Sequence, residues 1–246
     1  MSAIFTLRDV SLAYKTTEIL NNANLTFMKD RVTCIIGPSG SGKTTLLRTL
    51  NRMNDGVPGF RCRGTVLFKD RPIYSNGLDV HRLRQKVGMV FQKPCVFPKS
   101  ICDNVLFGVK HLNLKKKKDC PPLVEEKLRA VFLWKEVKDK LHRPATELSQ
   151  GQQQRLVIAR ALAVEPSVLL MDEPTSSLDH QAAGAIEELV KKLSHQLTII
   201  MVTHNLAQAQ RIADDVVFMC EGRICESGEA SLFFKDPQKI ETKCYV

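Results

Sequence analysis

The octapeptide GPSGSGKT, Gly37 to Thr44, fits the pattern G-x-x-x-x-G-K-[ST]. Such a segment can hold polyphosphate. Its glycines let backbone N–H groups turn inward and approach a dense negative charge, and the start of a following helix adds partial positive charge. Gly37, Pro38, Ser39, Gly40, Ser41 and Gly42 would form the cradle. Lys43 would reach the β- and γ-phosphates as a mobile cation, and the Thr44 hydroxyl would ligate Mg²⁺.

A second group is acidic. LLMDEP ends an apolar run with Asp172 and Glu173. Carboxylates at a strand end lie where open α/β sheets bind ligands. Asp172 suits Mg²⁺, largely through water, because Mg²⁺ keeps much of its hydration shell. Glu173 is the candidate to polarise an attacking water. The plainer alternative is a structural ion pair, which the neighbouring phosphate loop disfavours. His204 also follows an apolar run and could contact the γ-phosphate, although a lone histidine is more often structural or exposed. Gln92 closes KVGMVFQ and could sense the γ-phosphate and Mg²⁺.

A third stretch, ELSQGQQQRL from Glu147 to Leu156, crowds four glutamines round one glycine. It reads either as a polar turn before a helix or as a second phosphate-binding loop. Ser149 offers a hydroxyl, Gly151 permits close backbone approach, and the following helix offers its N-terminus. Gln150 is expected to point away from a nucleotide.

These groups need elements to hold them. AIFTLRDVSL and NLTFM have strand composition, and VTCIIG is a continuous apolar run ending in glycine. KTTLLRTLNRM has helical spacing, whereas GTVLFKD and KVGMVFQ read as strands. PPLVEEKLRAVFLW puts Leu123, Val124, Leu128, Val131 and Phe132 on one helical face behind two prolines. QQQRLVIARALAV and AAGAIEELVKKLSHQ are helical, while SVLLMDEP and LTIIMVTH read as buried parallel strands. DDVVFMCEGRICESG predicts a hairpin turning at Glu221-Gly222. Strands alternating with helices imply an α/β fold with a parallel sheet. A mainly helical insert is expected from about Pro94 to Gln154, inside one domain whose core spans about 1–93 and 155–246.

The 246 residues suffice for one large domain or a core with a smaller subdomain. No run of about 18 apolar residues is present, and the first ten residues lack the apolar centre of a signal peptide, so residence in the cytosol is expected. The eight cysteines form no C-x-x-C pair and are expected as reduced, mostly buried thiols. The net charge of +10 permits an anionic partner. Its densest cluster, Leu114 to Asp119, reads first as a solvated loop and second as a contact with acidic lipid or an acidic partner.

The ordered motifs GPSGSGKT, Gln92, LSQGQ, LLMDEP, SSLD and His204 resemble those of the ATP-binding-cassette ATPases, and the likeness covers nearly the whole chain. It implies a P-loop NTPase fold, with a RecA-like core, an antiparallel β subdomain and a helical subdomain. It implies ATP and Mg²⁺ as cofactors, with two such domains facing head to tail. Thr45 would join Lys43 and Thr44 on the phosphates. LSQGQ, with Ser149, Gln150, Gly151 and Gln152, becomes the signature loop, in which Ser149 and Gly151 touch the γ-phosphate of the partner's ATP. Asp179 of SSLD would lie at the dimer seam. Tyr14 would stack on adenine, against the alternative of an ordinary packed aromatic. The sequence departs from the family at Gln150, where a glycine is usual, and in LAYK, which lacks a glycine after the tyrosine.

NRMND and FQKPCVFPKSICDNV resemble more narrowly the branch that serves phosphate importers, and are expected to bear on partner choice. The resemblance implies a homodimer on membrane permease subunits at the cytoplasmic face of the cell membrane. A substrate-binding protein would be engaged only through the complex, and no nucleic acid is expected. An importer for another solute, such as polar amino acids, is the nearest alternative. A soluble cassette acting on nucleic acid and a small-molecule kinase are more distant ones.

Overall fold

A computed structural model of the chain describes residues 2–116 and 119–246, so Lys117 and Lys118 of the basic cluster lie outside the described residues. One sheet is antiparallel and contains β1 (Ala3–Tyr14), β2 (Thr17–Met28), β4 (Phe60–Phe68) and β5 (Arg71–Pro72), in the order β2-β1-β4-β5. The other runs β10-β9-β3-β8-β7-β6. It contains β3 (Val32–Ile36), β6 (Val87–Val90), β7 (Val168–Asp172), β8 (Thr198–Val202), β9 (Asp215–Cys220) and β10 (Arg223–Glu229). Its pairings are parallel except that between β9 and β10. The mixed α/β architecture expected from the alternating pattern is present.

Every residue of β3, β7 and β8 is buried, as continuous apolar runs require when both faces are covered. Alternate residues of β3 feed two cores, because successive side chains point to opposite faces. Val32, Cys34 and Ile36 pack with the helices on one side. Ile35 packs with Leu46, Leu47 and Leu50 of the helix α1 (Lys43–Thr49) and its flank, and with Phe5 and Phe27 of the antiparallel sheet. The strand ends that carry the polar groups are thus anchored from both sides.

The remaining helices are α2 (Val80–Lys86), α3 (Ile101–His111), α4 (Cys120–Ala130), α5 (Trp134–Val137), α6 (Gln150–Leu162), α7 (His180–Ser194), α8 (Leu206–Ile212), α9 (Ala230–Lys235) and α10 (Ile240–Tyr245). Among the described residues, no helix is long and apolar enough to cross a membrane.

Four expectations change. The second strand begins at Thr17 rather than near Asn24, because pairing with β1 carries it through polar Glu18 and the asparagines. The first helix stops at Thr49, and Arg52 adopts φ 60°, where its carbonyl and that of Asn51 receive the Arg84 guanidinium. The fourth helix stops at Ala130. Phe132, with φ 57°, leaves the helical face and lies beneath the Lys192 ammonium at 4.7 Å. The cysteines are also not all reduced and mostly buried. Cys220 and Cys225 form a disulfide across the β9–β10 turn, and only Cys34 and Cys120 of the six free thiols are buried. The cause is local: the β10 register shifts between Ile224 and Glu226, making Cys225 the extra, bulged residue that is re-aimed towards Cys220. The Glu221-Gly222 turn stands as expected, with both residues at positive φ.

Candidate functional site: a nucleotide cradle and a separate signature loop

The glycine loop links β3 to α1, and its geometry demands glycine at two positions. Gly37 has φ 144°, and a Cβ there would lie 2.0 Å from the Met219 carbonyl oxygen. Gly42 has φ 95°, and its Cβ would lie 2.8 Å from the Ile19 carbonyl oxygen. The loop is pressed against β9 on one side and β2 on the other. Lys43 folds back over it and donates to the carbonyls of Gly37 (2.8 Å) and Pro38 (2.7 Å), with the Ser41 hydroxyl at 3.5 Å. Burial lowers the Lys43 pKa, while the nearby Glu173 and Asp172 carboxylates pull it back up. The ammonium therefore sits partly desolvated on weak carbonyl partners, where a phosphate would be a stronger one.

Thr44, at the first turn of α1, donates its hydroxyl to Asp172 Oδ1 at 2.8 Å. Asp172 ends β7 and is buried, and Arg48 Nη2 lies 3.3 Å from its other oxygen. Two hard oxygen donors in contact at a strand end fit Mg²⁺, which takes few protein oxygens and keeps its waters. Glu173 follows with φ 46°, its amide donating to the Val202 carbonyl at 3.0 Å. A left-handed glutamate costs on the order of 1 kcal/mol and points to a held side chain. That side chain gathers the other polar candidates. His204 Nδ1 lies 3.1 Å from Glu173 Oε2, and Gln92 Nε2 donates to the same oxygen at 3.4 Å and to Ser176 Oγ at 3.1 Å. Gln92 bonds the Glu173 side rather than the Thr44–Asp172 pair.

Tyr14 ends β1, half-buried, with its ring tilted against Phe60 at 5.4 Å. Its hydroxyl donates to Asn54 Oδ1 at 3.0 Å. Asn54 is fully buried, and its amide nitrogen donates to the Thr45 carbonyl and the Thr49 hydroxyl, each at 2.9 Å. The asparagines of NRMND, Asn51 and Asn54, are thus buried and brace the interior. Pro38, Ser39 and Gly40 are exposed along the loop, and Ser41 is buried beneath it.

Ser149, Gln150, Gly151, Gln152 and Asp179 form a second group. Ser149 caps α6 and exchanges hydrogen bonds with Gln152 in a capping box. Gln152 Nε2 also donates to Glu136, which pairs with Arg155 at 2.6 Å. Asp179 caps α7 through the Ala182 amide at 2.8 Å. Ser149, Gln150, Gly151 and Asp179 line one cavity of about 480 Å³. Gly151 is fixed by packing, since a Cβ there would lie 2.9 Å from Ala182 Cβ. Gln150 is exposed on the first turn. Among the described residues no hydrogen bond or ion pair joins this group to the Lys43–Asp172–Glu173 group.

Some neighbours of the site escaped the sequence reading. Arg48 stands one helical turn after Thr44, so its reach to Asp172 had a spacing signal. Ser176, three residues after Glu173, had a weaker one. Glu136 had none, because its partners Gln152 and Arg155 lie on another helix.

A glycine loop between a buried strand and a helix, with an acidic pair at the end of β7, one strand beyond β8 in the same sheet, defines a P-loop nucleotide hydrolase. The chain belongs to the ABC transporter family, whose sequence pattern matches residues 20–176. A phosphate import ATP-binding protein, PstB, of Malacoplasma penetrans is 50% identical, over 100% of this chain and 86% of that one. The protein of the same name from Thermotoga maritima is 49% identical, over 100% of this chain and 98% of that one. Among solved structures, cbiO1 from Clostridium perfringens, part of the ABC transporter complex cbiONQ, matches with a TM-score of 0.82 and 31% identity. That match covers 96% of this chain and 93% of that one.

The exposed Gln150 and the packed Gly151 give opposite expectations. Gln150→Gly should change ATP turnover little. Gly151→Asp should abolish it, by forcing α6 from α7 and setting a carboxylate where phosphate would approach. Steady-state phosphate release measures both, and a large gain from Gln150→Gly would show that the glutamine restrains the loop.

Proposed function

We propose that the chain is the ATP-hydrolysing subunit of an importer of inorganic phosphate, working as a homodimer on the cytoplasmic face of membrane permease subunits. The full-length likeness to phosphate import ATP-binding proteins carries the choice of solute. The separation of the two polar groups within one chain supports the dimer. Ser149 and Asp179 line a cavity to which Lys43 and Glu173 do not contribute, so two copies related by a twofold axis would complete two equivalent sites.

In each site the loop amides and Lys43 bind the triphosphate, and Tyr14 supports the adenine. Thr44 and Asp172 are the residues to hold Mg²⁺, with Gln92 nearby, and the ion would neutralise charge on the β- and γ-phosphate oxygens. Glu173 orients the attacking water and accepts its proton. His204 holds the Glu173 carboxylate and faces the γ-phosphate. Ser149 and Gly151 of the opposite copy close over that phosphate, so its release removes the contacts bridging the two chains. Helices α3 and α4 transmit the change to the permease. The substrate-binding protein meets the chain only through the complex.

Uptake of radiolabelled phosphate tests this reading in cells whose own copy of the gene is deleted. The intact chain should restore uptake and Lys43→Ala should not. Restored uptake of a polar amino acid, with phosphate uptake unchanged, would show that the solute is wrong.

A further inference from the structure

Three cysteines line one cavity beside the phosphate loop. Cys220 ends β9, Cys225 is the bulged residue of β10, and the two are joined. Cys244, an exposed thiol on α10, lines the same cavity of about 350 Å³ as both, together with Pro38 of the loop. No step of ATP turnover uses these sulfurs.

The elements carrying them are the ones that seat the loop. Met219, next to Cys220, supplies the carbonyl against which Gly37 lies. Gly222, in the turn clipped by the disulfide, borders the Ile19 carbonyl, which also borders Gly42. The Asn21 amide donates to the Gly222 carbonyl at 2.8 Å, tying this turn to β2. Tyr245, beside Cys244, stacks on Phe218 with ring centroids 4.9 Å apart, and lines the same cavity as Pro38 of the loop. Hairpin, α10 and loop therefore pack as one unit, with a disulfide and a free thiol on a shared solvent-reaching wall.

From this placement we propose that Cys220, Cys225 and Cys244 form a thiol–disulfide switch that sets the nucleotide affinity of the phosphate loop. The proposal rests on reading Gly37–Thr44 as the ATP site. In the exchange step the Cys244 thiolate attacks one sulfur of the Cys220–Cys225 bond. A new S–S bond forms as the old one breaks, and the displaced sulfur leaves as a thiolate that takes up the proton Cys244 gave up. Nothing is oxidised or reduced overall. Full reduction uses two thiols of the glutathione class, which end as one disulfide while Cys220 and Cys225 each end as a thiol. Glutathione disulfide drives the reverse. While the Cys220–Cys225 bond is intact, the hairpin is clipped and the wall behind Gly37 is fixed. Exchange ties α10 to the hairpin and releases the turn, and that wall shifts with the bond.

The full chain, equilibrated in glutathione buffers of graded redox poise, tests this in two measurements on each sample. Free thiols are alkylated and mapped by mass spectrometry, and binding of a fluorescent ATP analogue is titrated. The expected result is a Cys220–Cys225 disulfide in oxidised samples, with binding several-fold weaker after reduction and recovered on reoxidation. In Cys225→Ser, Cys220 and Cys244 should cross-link to each other under glutathione disulfide. Equal affinity in both states overturns the switch. A Cys244 that remains fully alkylatable in both Cys225→Ser and Cys220→Ser under that oxidant overturns its part in the exchange. Absence of binding in every state, with the thiol map as expected, overturns the reading of the loop itself and the switch with it.

Discussion

Glu173→Gln is expected to lower ATP hydrolysis by about 10²–10⁴-fold, the range for loss of a positioned general base, while ATP binding persists. The amide keeps the shape of the carboxylate and its contacts to Gln92 and His204, but it cannot take a proton from water. The proposed binding elements, Lys43 and the loop amides, lie outside the change. With hydrolysis blocked, ATP should hold two copies together, and size-exclusion chromatography at saturating ATP should show a dimer. A variant that stays monomeric there and hydrolyses at the normal rate would refute both the role of Glu173 and the two-chain site.

Gly37→Ala should remove ATP binding and destabilise the fold. Its methyl group would fall 2.0 Å from the Met219 carbonyl oxygen, at a φ of 144° that alanine rarely adopts. The two nearest atoms are Met219 backbone, which cannot swing aside as the end of a side chain could. Overpacking and backbone strain together cost on the order of 3 kcal/mol, equivalent to a fall in Tm of about 10 °C for a chain of this size. Gly40→Ala is the matched control. Gly40 also has positive φ, 81°, but a Cβ there meets nothing within 4 Å, so only the left-handed strain of about 1–2 kcal/mol applies. Differential scanning fluorimetry and nucleotide titration of the two variants separate clash from strain. Equal effects at the two positions would show that the contact with β9 is unimportant.

Much of this was legible in the sequence because each signal was local. The apolar runs of β3, β7 and β8 announce buried strands, and the residues that end them, Gly37, Asp172 and His204, inherit their places from those runs. The Glu221-Gly222 turn is written in two residues. What was hidden depends on distant chain. The polar first half of β2 is a strand only because β1 pairs with it. Glu136 serves the signature loop through its pairing with Arg155, 19 residues further along the chain, and nothing in the sequence of its own helix hints at that role. The disulfide is the exception: it closes over five residues, but it needed a register shift in β10, which no spacing rule for cysteines contains. NRMND was distinctive in the sequence, but the buried bridging place of its Asn54 appears only when Tyr14 and α1 are in view together.

Asn54 makes that last point mechanical. One amide group spans from the hydroxyl of Tyr14 to the backbone of α1 at Thr45, two residues after Lys43. In the proposed site the platform for the base and the cradle for the phosphates would be the two jaws of a calliper, with Asn54 as its fixed joint. A ligand would then be measured by length as well as by charge, its base on the Tyr14 ring while its phosphates lie in the loop. Free pyrophosphate would fill one jaw and a free nucleoside the other, and neither would span the gauge.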